Sequence, residues 1–309
     1  MSKITIIGGA GTLGAAAAFS LASHENIDEI CMIDINENLL KNQVMDLQNA
    51  YPAKVLYAGS YRDLVHTDIV IITAGIPNRN DITSRCEFLD GNIKLFKEFG
   101  ENIQTYAPEA LIITASNPLD LLNYYLYENY DFHPRQLAGY TLNDSFRFEW
   151  ALREALDVPA KDSLFTPVLG EHGESQVPVF SQVTRSGRSF EMAASTQESI
   201  RKKLKSWFRD FNSLKINRTT GWTTAAGIRT MVEKMLQQEL SEMIGSAIFR
   251  GEYGFHGISM GAPLLVNNQG VQQVQEWTLT PAEKENYAHS AHVLKASIEK
   301  MKEAEGGSL

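Results

Sequence analysis

The ten residues "LGEHGESQVP", Leu169 to Pro178, place one ionisable ring, His172, between an acid and a glycine, with apolar stretches "SLFTPVL" before it and "VPVF" after it. A histidine in that setting, with no other context, reads first as a hydrogen-bonded core residue. It reads as a proton-transfer group if the chain also supplies a carboxylate to fix its tautomer and steady its charged form. "LNDSFRFEW" offers one: Asp144 and Arg147 are three apart, so on a helix they share a face. Asp144 can then meet the ring while the guanidinium of Arg147 forks onto a substrate carboxylate through two parallel charge-assisted bonds. Taken singly, Asp144 reads better as a helix cap and Arg147 as a surface ion pair, so the three carry weight only as a set.

A second constellation lies at the N-terminus. "KITIIGGAGTLGAAAA" sets Gly9, Gly11 and Gly14 in the pattern G-x-G-x-x-G, directly after a β-run and opening a helix. Glycines there permit a tight turn and close approach of a pyrophosphate, which the helix N-terminus faces with free N–H groups. Asp34 closes the second β-run twenty positions after Gly14. A carboxylate there accepts bonds from the adenosine ribose hydroxyls and repels a 2′-phosphate, which favours NAD over NADP. Hydride transfer to or from a carbonyl carbon also moves a proton on the oxygen, and that is the task His172 would perform.

These residues need a scaffold. Over the first 140 or so residues, the β-branched runs "KITIIG", "EICMID", "DIVIITAG", "EALIITASNP" and "QLAGYTL" alternate with helix-like stretches such as "GAAAAFSLASH" and "GNIKLFKEFGENIQTY". That alternation predicts an α/β fold, a Rossmann-type doubly wound parallel sheet covered on both faces. Gly9, Asp34, Gly75 and Asn117 each follow a β-run, and open parallel sheets bind ligands beyond the carboxyl ends of their strands. The second half predicts an α+β arrangement. A helix starts at "NDSFRFEWALREAL" with Asn143 or Asp144 at its N-cap, and strand-like runs "SLFTPVL" and "SQVPVFSQV" follow. Two long helices then cover about 194–215 and 222–250, short strands "FHGISM" and "APLLVNN" come next, and a last helix runs from about Pro281. The division expected is residues 1–141 for NAD binding and 142–309 for the catalytic machinery, packed closely because no linker separates them.

Composition bounds the partners. The chain has 309 residues and a net charge of -9, which disfavours nucleic acid. Its densest basic run, "RKKLKSWFRD", lies on a helical pattern with Ile200, Leu204, Trp207, Phe208 and Phe211 on one side and a solvated basic face on the other. Two cysteines, Cys31 and Cys86, form no disulfide framework. "MSKITIIGG" is soon broken by glycine, unlike a signal peptide, and no apolar run approaches the length of a membrane span, so a cytoplasmic protein is expected. His24, His66, His133, His256, His289 and His292 have no comparable context; His289 and His292 are three apart, but no carboxylate or cysteine completes a metal site, and no metal is expected.

"GAGTLG", "MIDINENLL", "ITAGIP", "SNPLD", "LNDSFRF", "GEHGESQVP" and "TGWTTAAG" occur in that order over nearly the whole chain. In this the sequence resembles the lactate/malate dehydrogenase family, including its hydroxyisocaproate dehydrogenase branch. The resemblance implies reversible NAD-dependent oxidation of a small L-2-hydroxy acid to its 2-oxo acid. It implies His172 as the catalytic acid/base, Asp144 as its carboxylate partner and Arg147 as the anchor of the substrate carboxylate. Asn117 then lies near nicotinamide and substrate, Thr223 in the pocket wall, and Thr73, Ala74 and Gly75 against the cofactor. A homodimer or homotetramer is implied as well.

"AGIPNRNDITSRCEFLDGN" corresponds to the family's mobile lid, and Arg85, seven residues before Asn92, to its carbonyl-polarising arginine. Two departures occur there: "NDI" replaces the usual lysine-proline-glycine run, and the lid is one residue longer. Counted back from Arg85, Arg79 falls where malate enzymes carry an arginine for the distal carboxylate; counted forward from Gly75, the neutral Asn78 falls there instead, closer to the lactate type. The preserved R-x-x-x-x-x-R spacing favours malate, while "GEHGESQVPVFS" and "GWT" are nearer lactate or branched-chain enzymes. Glu149 stands where many bacterial lactate enzymes bind a sugar bisphosphate through arginine, which argues against that effector. Two other readings remain: a metal- and NAD-using glycosidase of the same fold, which would want a cysteine beside "SNP", and a non-catalytic binding protein, which would be expected to have lost a member of the His172, Asp144, Arg147, Arg85 set.

Overall fold

The computed structural model describes residues 2–76, 85–216 and 219–306. In its first half, strands and helices alternate as the apolar runs predict: β1 (Lys3–Ile7), α1 (Thr12–Ala22), β2 (Glu29–Ile33), α2 (Glu37–Ala50), β3 (Val55–Ala58), β4 (Ile69–Ile72), α3 (Arg85–Tyr106), β5 (Leu111–Thr114), α4 (Leu119–Asn129) and β6 (Leu137–Gly139). The six strands are parallel in the order β3-β2-β1-β4-β5-β6. Ile4, Ile6, Ile112, Ile113 and all four residues of β4 are buried, because helices cover both faces of the sheet. The sheet order reverses between β1 and β4, which opens a crevice at their carboxyl ends. β3 had no place among the predicted strands. It is an edge strand of four residues with Val55 exposed, too short and too wet to show a period.

The second half holds α5 (Leu142–Leu156), β7 (Leu164–Phe165), β8 (Val168–Leu169), β9 (Val177–Pro178), β10 (Thr184–Arg185), β11 (Arg188–Ser189), α6 (Ala194–Ser213), α7 (Gly221–Met235), β12 (Ser241–Arg250), β13 (His256–Asn267), β14 (Gly270–Val274) and α8 (Pro281–Gly306). The helix expected over 222–250 ends at Met235, and "SEMIGSAIFR" is a strand. Met243 to Phe249 are all buried, so no amphipathic period survives to tell strand from helix. The two short strands expected after it are one long strand, β13. β12 joins β6 antiparallel at Ser246 and Gly139, and β13 and β14 follow outward, so a single nine-stranded sheet runs through both halves of the chain. That junction is tight: a Cβ on Gly139 would sit 2.7 Å from the Ser246 Cβ.

The N-cap of α5 is Thr141, so Asn143 and Asp144 lie inside its first turn rather than capping it. Both are buried, with side chains engaged in tertiary hydrogen bonds. α6 is the amphipathic basic helix; its Ile200 and Leu204 pack with Phe148, Phe180 and Val168 in a small second core. Among the described residues, no helix is long and apolar enough to cross a membrane.

Candidate active site

The glycine loop leaves β1 at the switch point and is strapped to the end of β2, with the N–H groups of Gly8 and Gly9 both donating to the Ile33 carbonyl. The residue that takes the left-handed conformation is Gly8, at φ +90°, one place before the motif's first glycine; a Cβ there would lie 2.5 Å from the Ala74 nitrogen. Gly14 lets α1 start directly against the loop, since its Cβ would fall 2.1 Å from the Gly8 carbonyl oxygen. At Gly11, by contrast, the nearest atom to an added Cβ is 3.4 Å away. The first turn of α1 carries no side-chain cap and no acid, so its N–H groups and dipole end are left to an anion. Asp34 is half-buried beside this loop, where its two oxygens accept the N–H groups of Ala10 (3.0 Å) and Asn36 (2.9 Å), and an open pocket lined by Ile35, Asn36, Glu37 and Asn38 flanks it. Open helix end, narrow glycine floor and ribose-height carboxylate together fit a dinucleotide without a 2′-phosphate.

The ends of β4 and β5 form the next wall. Thr73 donates its hydroxyl to the carbonyls of Ile7 (3.0 Å) and Gly8 (3.2 Å), and Ala74 donates its N–H to Ile7. Gly75 is exposed above them, as is Asn117, which precedes the cis bond to Pro118. A residue with no chemical signature of its own in the sequence holds this wall together. Asn92, fully buried on α3, accepts the Ile76 N–H at 2.7 Å and donates to the Asn117 carbonyl at 2.7 Å, tying the two strand ends into one rim.

His172 lies on the loop between β8 and β9, against this rim. Its backbone N–H donates to Oδ2 of Asp120 at 2.7 Å, and Asp120 is in the first turn of α4, three residues beyond Asn117. Its ring Nδ1 is 2.6 Å from Oδ2 of Asp144, and Oδ1 of Asp144 accepts from Nη1 of Arg147 at 3.2 Å. One buried carboxylate thus holds the imidazole on one oxygen and the guanidinium on the other. The arginine is steadied a second way, with its guanidinium carbon 4.2 Å above the Trp207 ring, which stacks in turn on Phe211. Trp207 belongs to the apolar stripe of α6; nothing in the sequence pattern set it apart from a core residue.

Burial by itself would lower the pKa of His172, but the charge and hydrogen bond of Asp144, aided by Asp120, outweigh both burial and the repulsion of Arg147, and the ring titrates above its ordinary value. Burial pushes the Asp120 carboxyl up to about 7, against the opposing pull of the Ser246 hydroxyl, the His172 N–H and the His172 ring. With Nδ1 engaged by Asp144, Nε2 is the ring nitrogen left to exchange a proton.

Thr223 is exposed at the start of α7, and its carbonyl accepts from the buried Tyr140 hydroxyl at 3.2 Å. α7 begins against the glycine loop, since a Cβ on Gly221 would sit 3.1 Å from Cγ2 of Thr12. The structure therefore brings together His172, Asp144, Arg147, Asn117 and the cofactor-loop residues around the carboxyl ends of β1, β4 and β5. Arg85 is the first residue of α3; its side chain, like Asn78 and Arg79, lies outside the described residues. Glu149 is paired with Arg153 at 2.7 Å.

Comparison with known proteins agrees with this geometry. Residues 2–139 match the family model described as the lactate/malate dehydrogenase NAD binding domain, and residues 141–305 match its alpha/beta C-terminal domain. The chain is 34% identical to a malate dehydrogenase of Halobacterium salinarum, over 97% of this chain and 100% of the relative. It is 30% identical to an L-lactate dehydrogenase of Clostridium perfringens, over 96% of each. A solved structure of the Cryptosporidium parvum lactate dehydrogenase complexed with lactic acid and nicotinamide adenine dinucleotide superposes with a TM-score of 0.87 at 27% identity, covering 97% of this chain and 98% of that one.

Proposed function

This chain belongs to the lactate/malate dehydrogenase family of NAD-dependent oxidoreductases, and on that premise we propose that it interconverts L-malate and oxaloacetate. The observation that carries the chemistry is the double engagement of Asp144, with His172 on one oxygen and Arg147 on the other. NAD held along the strand ends would supply the hydride acceptor for the substrate's C2 hydrogen in oxidation, and NADH the hydride donor in reduction. Gly9, Gly11 and Gly14 would floor its pyrophosphate, Asp34 would hold the adenosine ribose, and Thr73, Ala74, Gly75 and Asn117 would line the nicotinamide side.

Arg147 binds the C1 carboxylate by its fork, and Asp144 and Trp207 hold that fork in plane. In oxidation, neutral His172 accepts the hydroxyl proton at Nε2, and the imidazolium so formed is stabilised by Asp144 at Nδ1. In reduction the imidazolium gives the proton back to the carbonyl oxygen. Arg85, at the start of α3, stabilises negative charge growing on that oxygen, Arg79 pairs with the distal carboxylate, and Thr223 walls the pocket. Residues 1–141 carry the dinucleotide and 142–309 the substrate machinery. The large apolar side chains exposed on α1, α2 and α7, among them Phe19, Met45 and Trp222, support a homodimer or homotetramer. The low cysteine content supports a cytoplasmic setting.

Relatives named malate dehydrogenase that cover 96–97% of the chain support the dicarboxylate reading. One observation favours a second: the Trp207–Phe211 stack beside Arg147 offers an apolar surface that suits pyruvate or a branched 2-oxo acid. A panel of oxaloacetate, pyruvate and 4-methyl-2-oxopentanoate with NADH decides between them. Oxaloacetate should lead, and Arg79→Gln should reduce its kcat/KM by an order of magnitude or more. Preferred turnover of pyruvate or the branched acid, with oxaloacetate indifferent to Arg79→Gln, would replace malate by the second reading.

A further inference from the structure

Asn143 precedes Asp144 in the chain and has no part in the steps above, yet its side chain is buried and every polar atom of it is committed. Nδ2 donates to the hydroxyl of Thr224 at 2.9 Å and to that of Thr220 at 3.3 Å, and Oδ1 accepts from the hydroxyl of Tyr140 at 2.9 Å. The two threonines open α7: Thr220 is its N-cap, and the Thr224 hydroxyl donates onward to the Thr220 carbonyl. The Tyr140 hydroxyl also reaches the Thr223 carbonyl at 3.2 Å, and Gly227 makes room for it, since a Cβ there would sit 2.4 Å from that oxygen. Tyr140 and Thr224 are buried as well, while Thr223 between these bonds is exposed. One buried polar knot thus joins the turn of α5 that carries Asp144 to the turn of α7 that carries Thr223.

An amide presents one acceptor and two donors from a single plane, which is what three surrounding hydroxyls can use. Aspartate would keep the acceptor but offer no N–H, and would set a second buried charge beside Asp144. Leucine would fill the space and bond none of the hydroxyls. Nor does α5 ask for asparagine here, a residue of low helix propensity, since its N-cap is Thr141 and all of these side-chain bonds leave the helix. The bonds serve what they join: Asp144 and Arg147 on one side, and on the other a helix start already seated on the glycine loop through Gly221 and Thr12.

We propose that Asn143 is a positioning residue for substrate selection: its amide holds the first turn of α7, and with it Thr223, at a fixed distance from the Arg147 fork and the His172–Asp144 pair. On the reading that Thr223 walls the substrate pocket, such a wall fixes the room beside C2 of an acid whose carboxylate lies on Arg147. Hydrogen bonds tolerate only a narrow range of separation, so the wall cannot drift while the knot is intact. Acids that differ by a few atoms then differ in fit, and a loosened wall accepts them more evenly.

The test compares the full-length protein with Asn143→Leu, Thr224→Val and Thr224→Ser. Asn143→Leu removes the amide, Thr224→Val removes one of its acceptors at nearly constant shape, and Thr224→Ser keeps the hydroxyl. With NADH, kcat/KM is measured for oxaloacetate, pyruvate and 4-methyl-2-oxopentanoate. Whichever acid the parent favours, its lead over the others should shrink roughly three- to tenfold in the first two variants and persist in Thr224→Ser. A ratio of two substrates does not depend on how much of the enzyme is folded, so lost stability alone leaves it unmoved. Hydrogen exchange of the cofactor-free protein gives a second readout: backbone N–H groups of 221–225 should exchange faster in Asn143→Leu and Thr224→Val, with those of β12 and β13 unchanged. Thr224→Val decides both measurements should Asn143→Leu not fold. Substrate ratios within about twofold of the parent, or unaltered exchange at the start of α7, overturn the proposal. Absence of turnover of all three acids by the unaltered protein is a separate result that defeats the dehydrogenase reading and the selection role with it; the exchange measurement still decides whether Asn143 ties the two helices.

Discussion

Replacing Asp144 by Asn removes the charge from the one group that both His172 and Arg147 share, while keeping its shape. The contact to the ring is 2.6 Å, and the carboxylate is 5% exposed, so solvent offers little replacement. A hydrogen bond to a charged group contributes about 1.5–3 kcal/mol net. At 1.36 kcal/mol per pKa unit, that lowers the His172 pKa by roughly one to two units. At a pH above the parent midpoint, the imidazolium needed for 2-oxo acid reduction becomes about 10- to 100-fold rarer. The amide also presents an N–H that can donate to Nδ1, moving the ring proton to Nε2 and disfavouring the tautomer that accepts a proton in oxidation. Both directions should therefore lose at least an order of magnitude in kcat/KM. The assay is NADH absorbance against pH for reduction and oxidation, with NADH affinity measured by fluorescence as the control, since among the described residues the Asp144 carboxylate hydrogen-bonds to His172 and Arg147. A variant within about threefold of the parent in both directions, with unchanged midpoints, would falsify the coupling of Asp144 to the ring.

Because His172 titrates above 6.5, kcat/KM for 2-oxo acid reduction should stay level below that raised pKa and fall about tenfold per pH unit above it, while hydroxy-acid oxidation rises through the same midpoint; a shared midpoint below 6.5 contradicts the electrostatics. Trp207→Ala removes the ring 4.2 Å from the Arg147 guanidinium and should raise substrate KM about 2- to 30-fold, from about 0.5–2 kcal/mol of cation–π contact, with kcat changed less; an unaltered KM dismisses Trp207 as a support for the fork. Gly14→Ala drives a methyl to 2.1 Å from the Gly8 carbonyl oxygen and should cost about 1–3 kcal/mol in cofactor-free melting, whereas Gly11→Ala, with nothing nearer than 3.4 Å, should melt like the parent and lose only NADH affinity; equal melting of the two variants removes the packing argument.

Much of the site was legible in the residues themselves. The order of β-runs, the glycine loop, Asp34 and the set His172, Asp144, Arg147 rest on local rules: strand period, helix termini, side-chain chemistry and i, i+3 spacing, all of which survive without tertiary information. Tertiary context overrode those rules in identifiable places. "SEMIGSAIFR" is a strand because it lies buried between β6 and β13, where continuous burial erases the period that separates strand from helix. Asp144 is not the cap its position in the chain implied, because α5 begins two residues earlier and turns that side chain toward a loop 28 residues away. Asn92, Asp120 and Trp207 had no local signature, since each acts on a partner brought near only by the crossing of α3, α4 or α6 with distant segments. Local spacing names the groups able to do chemistry; only the folded chain decides which of them meet, because a contact across tens of residues depends on how whole layers pack, not on any one segment's pattern.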